Sequence, residues 1–172
     1  MASTLLTSLN EYLNTSYSPD CDFVDGRIEE RNVGEHDHAA LQAALIIWFG
    51  QYQQEWNIEV LPEQRMQISP TRFRVPDVCL VSLDQPVEQI LTKPPLVCIE
   101  ILSPEDTLRR MQERISEYQQ FGVQNIWILD PATLRGYDCR PNAWLDAREF
   151  AVPKTPIRLV LPDIFSRMRR AE

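Results

Sequence analysis

Apolar positions along the chain recur with two different periods, and the switches between them mark the elements. From Ser3 to Leu13, Leu5, Leu6, Leu9, Tyr12 and Leu13 fall at helical spacing, with Ser3 as the N-cap. Two short extended runs then flank Asp25-Gly26 between Cys21 and Arg31. That dipeptide is a strong hairpin signal, because both turn residues need positive φ. His38 to Trp56 reads as one helix, with Leu41, Ala44, Leu45, Trp48, Phe49 and Tyr52 as its stripe and Gly50 tolerated inside it. Strands follow at 58–61, 65–68 and 73–83, before a loop with three prolines at 85–95.

Three runs are apolar throughout or but for one residue: Val78 to Val81, Leu96 to Leu102, broken by Glu100 alone, and Ile126 to Leu129. Continuous apolar runs of this length suit strands buried on both faces. Ser103-Pro104 opens the helix between the second and third, which carries Leu108, Met111, Ile115 and Tyr118 on one face and stops at Gly122. Weaker strands are predicted at 135–138, 143–150 and 157–161. The strand–helix–strand unit at 96–130 implies one parallel crossover, hence an α/β fold with a mixed sheet. With no repeat, linker or composition break, residues 1–172 read as one domain, with 1–20 an N-terminal helical extension.

Against this pattern one residue is anomalous. Glu100 is the single charge in Leu96–Leu102, and an ionised carboxylate in such a strand costs several kcal/mol unless something offsets it. Asp77 opens the neighbouring apolar run directly after Pro76. If the two strands pair, the carboxylates converge, and a hard divalent cation with oxygen ligands would relieve their repulsion. The other reading is that each acid pairs with an arginine or caps a turn. At about 100° per residue, Arg114 lies roughly 80° from the centre of the apolar stripe on its helix, beside Tyr118, whereas Arg109 and Arg110 point to solvent.

Composition narrows the partners. The net charge is −8, which disfavours unaided binding to nucleic acid, although a cleft holding a cation can reverse the local field. The basic residues are 15 Arg and only 2 Lys, Lys93 and Lys154. Cys21, Cys79, Cys98 and Cys139 form no CxxC pair and are expected as reduced structural thiols. No apolar run approaches the roughly 20 residues a bilayer needs, and the N-terminus lacks a basic leader, so no membrane and a cytoplasmic location are expected.

The strings Val75-Pro76-Asp77-Val78, Pro95-Leu96-Val97-Cys98-Ile99-Glu100-Ile101-Leu102-Ser103-Pro104 and Tyr118 with Gly122-Val123-Gln124-Asn125-Ile126-Trp127-Ile128-Leu129-Asp130-Pro131 resemble the Uma-type restriction endonuclease family, a branch of the PD-(D/E)XK nuclease superfamily. The likeness runs from about Cys21 to Leu161. It implies a restriction-endonuclease-like mixed central β-sheet flanked by helices. It also implies Mg(II)- or Mn(II)-dependent hydrolysis of DNA phosphodiester bonds. By the resemblance Asp77, Glu100 and the Ile101 carbonyl would bind the metal, and Arg114 would stand where the family carries a lysine. Glu35, His38 and Tyr118 would support the site, and Arg72 or Arg74 could contact phosphate, although cross-strand ion pairing serves those arginines equally well. A homodimer would cut both strands. Arginine cannot accept a proton as lysine can, so the alternative implied is an inactive nuclease-fold module that binds DNA or protein. The C-terminal Arg167, Arg169 and Arg170 could touch DNA, but such a run is more often a solvated tail.

Overall fold

The computed structural model describes residues 6–31 and 35–169. Its centre is a six-stranded mixed sheet in the order β10-β9-β8-β7-β6-β3. These strands are β3 (Ile58–Pro62), β6 (Val78–Ser82), β7 (Val97–Ile101), β8 (Asn125–Asp130), β9 (Arg135–Arg140) and β10 (Ala143–Asp146). These three runs form its middle, and every residue of β7 is buried. β7 and β8 are parallel and joined by α4 (Leu108–Phe121), whereas β6 and β7 are antiparallel with Val78 opposite Ile99.

Two helices cover the two faces. α2 (His36–Gly50) buries Leu41, Leu45, Trp48 and Phe49 in a core with Ile99, Ile101 and Trp127. α4 buries Met111, Ile115 and Tyr118 with Cys79, Cys98 and Ile128 on the other face. Gly122 ends α4 at φ +107°, a conformation glycine adopts without a Cβ penalty. A four-stranded sheet, β2-β1-β5-β4, is built from β1 (Cys21–Val24), β2 (Arg27–Glu30), β4 (Met66–Ser69) and β5 (Arg72–Arg74). Short α1 (Leu9–Leu13) seats Tyr12 against Phe23 and Phe73 of this sheet. The strands β11 (Glu149–Ala151) and β12 (Arg158–Val160) pair separately and lead into α5 (Leu161–Phe165).

Five expectations change. The strand expected at 143–150 is two, β10 in the six-stranded sheet and β11 paired with β12. The N-cap of α1 is Ser8, and Ser3 lies outside the described residues. The long helix stops at Gly50, and after a turn α3 (Gln53–Trp56) closes at Asn57 with φ +55°. The run 73–83 is two strands in two sheets, because Pro76 offers no N–H to a ladder and Val75-Pro76-Asp77 crosses between them. α4 begins at Leu108 behind Thr107, whose hydroxyl accepts from the Arg110 N–H, while the Ser103 N–H donates instead to the Asp106 carboxylate and 103–106 stays a turn. Among the described residues no helix is long and apolar enough to cross a membrane.

Candidate metal and phosphate cleft

Pairing of β6 with β7 brings the two acids together. Extending the register one residue past Val78–Ile99 sets Asp77 opposite Glu100. Both are buried, and both line one cavity of about 30 Å³ with Arg31, His38, Ile101 and Arg114. That volume accommodates a water or two, or a small ion.

Asp77 is held from three sides. Its Oδ2 accepts the Ile101 N–H at 2.7 Å and lies 3.4 Å from His38 Nε2. Its Oδ1 accepts from Arg31 Nη2. Gln42, one turn beyond His38 on α2, donates to the Asp77 main-chain carbonyl at 2.9 Å. Burial alone would raise this carboxyl, but the His38 hydrogen bond and the Arg31 charge outweigh it and hold the pKa below the ordinary range. Burial likewise works against a charged His38, and Asp77 more than reverses it, so the imidazole pKa is raised.

Glu100 is less well compensated. Its Oε1 accepts from the Tyr118 hydroxyl at 2.5 Å and its Oε2 from Arg114 Nη1 at 3.1 Å. Burial nevertheless pushes its carboxyl up to about 7, with the charge of Asp77 adding to the rise and Arg114 and Arg31 opposing it. The lone charge in the apolar strand is therefore as costly as its setting implies, and the neighbouring acid makes it more so. Burial and Glu100 raise the Tyr118 phenol well above its usual range, so it stays a donor.

Arg114 reaches the site from α4, with only 14% of its side chain exposed. Its fork spans two acids, Nη1 on Glu100 and Nη2 on Asp22 at 2.7 Å. Asp22, on β1, is fully buried; it also accepts Arg74 Nη1 at 2.9 Å and the Val75 N–H at 2.8 Å. Arg74 completes its set with Glu29 at 2.7 Å and Glu117 at 2.5 Å. This arginine does not line the cavity; it is 4% exposed and committed to three carboxylates, so the phosphate contact read for it gives way to cross-strand ion pairing. Arg72 is paired in the same way with Asp25 and Glu117.

Glu35 is the exposed N-cap of α2 and lines an adjacent groove of about 270 Å³ with Asp37, His38 and Asp130, not the cavity of Asp77 and Glu100. The cleft also gains residues that the sequence did not single out. Asp22 sits between two apolar neighbours, a weaker form of the signal that exposes Glu100. Arg31 and Gln42 act through partners far away in sequence, which no local pattern records.

A divalent cation can be weighed against this donor set. Among the described residues no three His, Cys, Asp or Glu side chains group to hold a metal. Two carboxylates and a main-chain carbonyl are hard oxygen donors, however, and Mg²⁺ usually keeps several waters and takes one or two carboxylates from protein. N–H and C=O of one strand residue point the same way, so the Ile101 carbonyl lies on the side where its N–H meets Asp77. The donors fit, with Arg31 and Arg114 as the cations they hold otherwise.

The family model described as Uma2, "Putative restriction endonuclease", matches residues 9–166. Among solved structures, the chain is similar to a putative nuclease belonging to DUF820 from Anabaena variabilis ATCC 29413, with TM-score 0.76 and 21% identity, covering 92% of this chain and 97% of that one. At that identity the likeness speaks for the fold: a mixed sheet flanked by helices, as in a nuclease. A chain of the DrdV–DNA complex is similar with TM-score 0.46 and 14% identity, covering 76% of this chain and 11% of that one. No curated protein matches.

Proposed function

The chain belongs to the Uma2 family of putative restriction endonucleases, and from that premise we propose that it is a divalent-metal-dependent endonuclease hydrolysing DNA phosphodiester bonds. One observation carries the reading: Asp77, just before β6, and Glu100, on the adjacent antiparallel β7, line a single small polar cavity together with Ile101. Those three groups would hold Mg(II) or Mn(II), which supplies Lewis acidity toward a phosphoryl oxygen and lowers the pKa of a water.

The chain's own residues do the rest. The Ile101 N–H and His38 fix the Asp77 carboxylate, and Gln42 fixes its backbone. Tyr118 orients Glu100. Arg114 keeps a permanent charge beside Glu100 and exchanges no proton, because burial cannot outweigh Asp22 and Glu100. Arg110, exposed at the mouth of the same cavity, is available to a DNA phosphate. The proposal takes residues 1–172 as one nuclease-fold domain with 1–20 as its extension. It adds a homodimer with two sites about a two-fold axis and a cytoplasmic location, which suits four free, buried cysteines.

Incubation of supercoiled plasmid with Mg²⁺ or Mn²⁺ tests this: nicking is expected from the wild type and not from Glu100→Ala, and equal nicking by both defeats the reading. A second reading has its own observation. Both oxygens of Asp77 and of Glu100 already accept from Arg31, Arg114, Tyr118 or the Ile101 N–H, which suits an inactive nuclease-fold module binding DNA or protein. In that case the wild type is silent, and nicking appears in Arg114→Lys alone.

A further inference from the structure

Arg31 has no place in the chemistry proposed above, yet it lies at the centre of the cleft. It follows directly on β2, and only 9% of its side chain is exposed. Nη2 sits on Asp77 Oδ1, while Nη1 lies 3.8 Å from Glu63 Oε1. The two acids differ in setting: the Asp77 side chain is 5% exposed, that of Glu63 49%. They are tied together through the backbone, since the Glu63 N–H donates to the Asp77 carbonyl at 3.2 Å. Glu63 is held at φ +50°, a left-handed conformation that a residue with a Cβ adopts at some cost. Its carboxylate stands beside the guanidinium, on the solvent side.

We propose that Arg31 is a positioning residue that holds Asp77 until a divalent cation displaces it, and that Glu63 is the partner which receives it. The inference rests on the metal reading of Asp77 and Glu100. A guanidinium on Asp77 and a divalent cation on the same carboxylate repel each other, so the cation weakens the hold of Arg31 on Asp77. Removing Arg31 from Asp77 without a second partner would leave a largely buried guanidinium uncompensated, which is costly. Glu63 lowers that cost, because the same fork already approaches it. The two partners of Arg31 form a two-state element, and the metal favours the Glu63 state through its differential interaction with the two.

The test is binding of Mn²⁺ alone, followed by titration calorimetry on the full chain as wild type, Arg31→Gln, Glu63→Gln and the double variant. Arg31→Gln is expected to bind about tenfold tighter than wild type and Glu63→Gln about fivefold weaker. The Glu63→Gln loss disappears in the Arg31→Gln background, because nothing is left to be received. Should Arg31→Gln not fold, Arg31→Met replaces it: with no cation at the position, the effect of Glu63→Gln is again lost. Unchanged affinity in Arg31→Gln overturns the inference, as does an equal loss from Glu63→Gln in both backgrounds, which would make Glu63 a direct attraction for the metal. Both of those outcomes leave the metal reading standing. If no protein of the set binds Mn²⁺, that reading falls and the role of Arg31 falls with it.

Discussion

Asp77 and Glu100 share one cavity, but their surroundings move their carboxyls in opposite directions, and stability must follow. Glu100 has its pKa raised by burial to about 7, so from the ordinary carboxylate range up to that value the folded state binds a proton the unfolded state has lost. Its contribution is full at low pH and disappears as pH rises through about 7. Glu100→Gln keeps the shape without the charge, and is expected to stabilise the fold at pH 8 by on the order of 2–3 kcal/mol, the gain fading toward pH 5. Asp77, held below its ordinary range, contributes above that range and loses the contribution only as pH falls through its lowered pKa. Asp77→Asn therefore destabilises at both pH values, and strands Arg31 as well. Urea midpoints at pH 5 and pH 8 check both signs; a Glu100→Gln protein weaker than wild type at pH 8 contradicts the first. Glu100 was legible in the sequence for the same reason that it is destabilising, a charge with apolar neighbours on both sides. Arg31 and Gln42 were not, because a polar residue looks alike in sequence whether it meets solvent or Asp77, 46 or 35 positions away.

At the scale of elements, legibility tracks how local the determining contacts are. β7, β8 and the body and end of α4 were readable, since two apolar runs and a helical stripe closed by Gly122 each carry their own signal. The start of α4 was not: Ser103-Pro104 is a good opening, but Asp106 takes the Ser103 N–H first, and the resulting turn lines the cleft. The run 73–83 misleads in a similar way, since the bend at Pro76 is what releases Asp77 from the strand to meet the Ile101 N–H. Close packing of β9 against β11 and α5 had no sequence signal beyond a lone glycine. A Cβ on Gly136 would stand 2.7 Å from Leu161 Cδ1 and 2.8 Å from Phe150 Cζ, well inside contact distance. Gly136→Ala is therefore expected to cost about 1–3 kcal/mol by overpacking. The urea midpoint should fall with the slope unchanged, and Mn²⁺ affinity should hold, because the clash lies in the core packed around α2 rather than at the cleft.

Across the whole molecule, the four-stranded sheet is joined to the six-stranded one by charge as well as by apolar contact. Its own buried cluster consists of Tyr12, Phe23 and Phe73. Beside it, Asp22 on β1 takes Arg114 of α4, which takes Glu100 of β7, while Arg74 of β5 ties Asp22 to Glu117. The site is thus completed by residues from a different sheet, and its order depends on how the two sheets meet. Asp22→Asn tests that dependence. It leaves Arg74 and Arg114 largely buried with a shared partner that no longer carries charge, a loss of about 3–5 kcal/mol for pairs of this kind. Because Asp22 is wholly out of water, added salt should change the deficit little, unlike that of a surface pair. Hydrogen exchange locates the effect: amides of β1 and β5 should open well before those of β6, β7 and β8, since the central sheet keeps its own two-sided core. Uniform acceleration across both sheets would mean that the charges support the whole fold at once. Unchanged exchange would mean that apolar contact, such as that of Met66 on β4 with the core of the larger sheet, suffices to hold the sheets together, and that Arg114 is positioned by Glu100 alone.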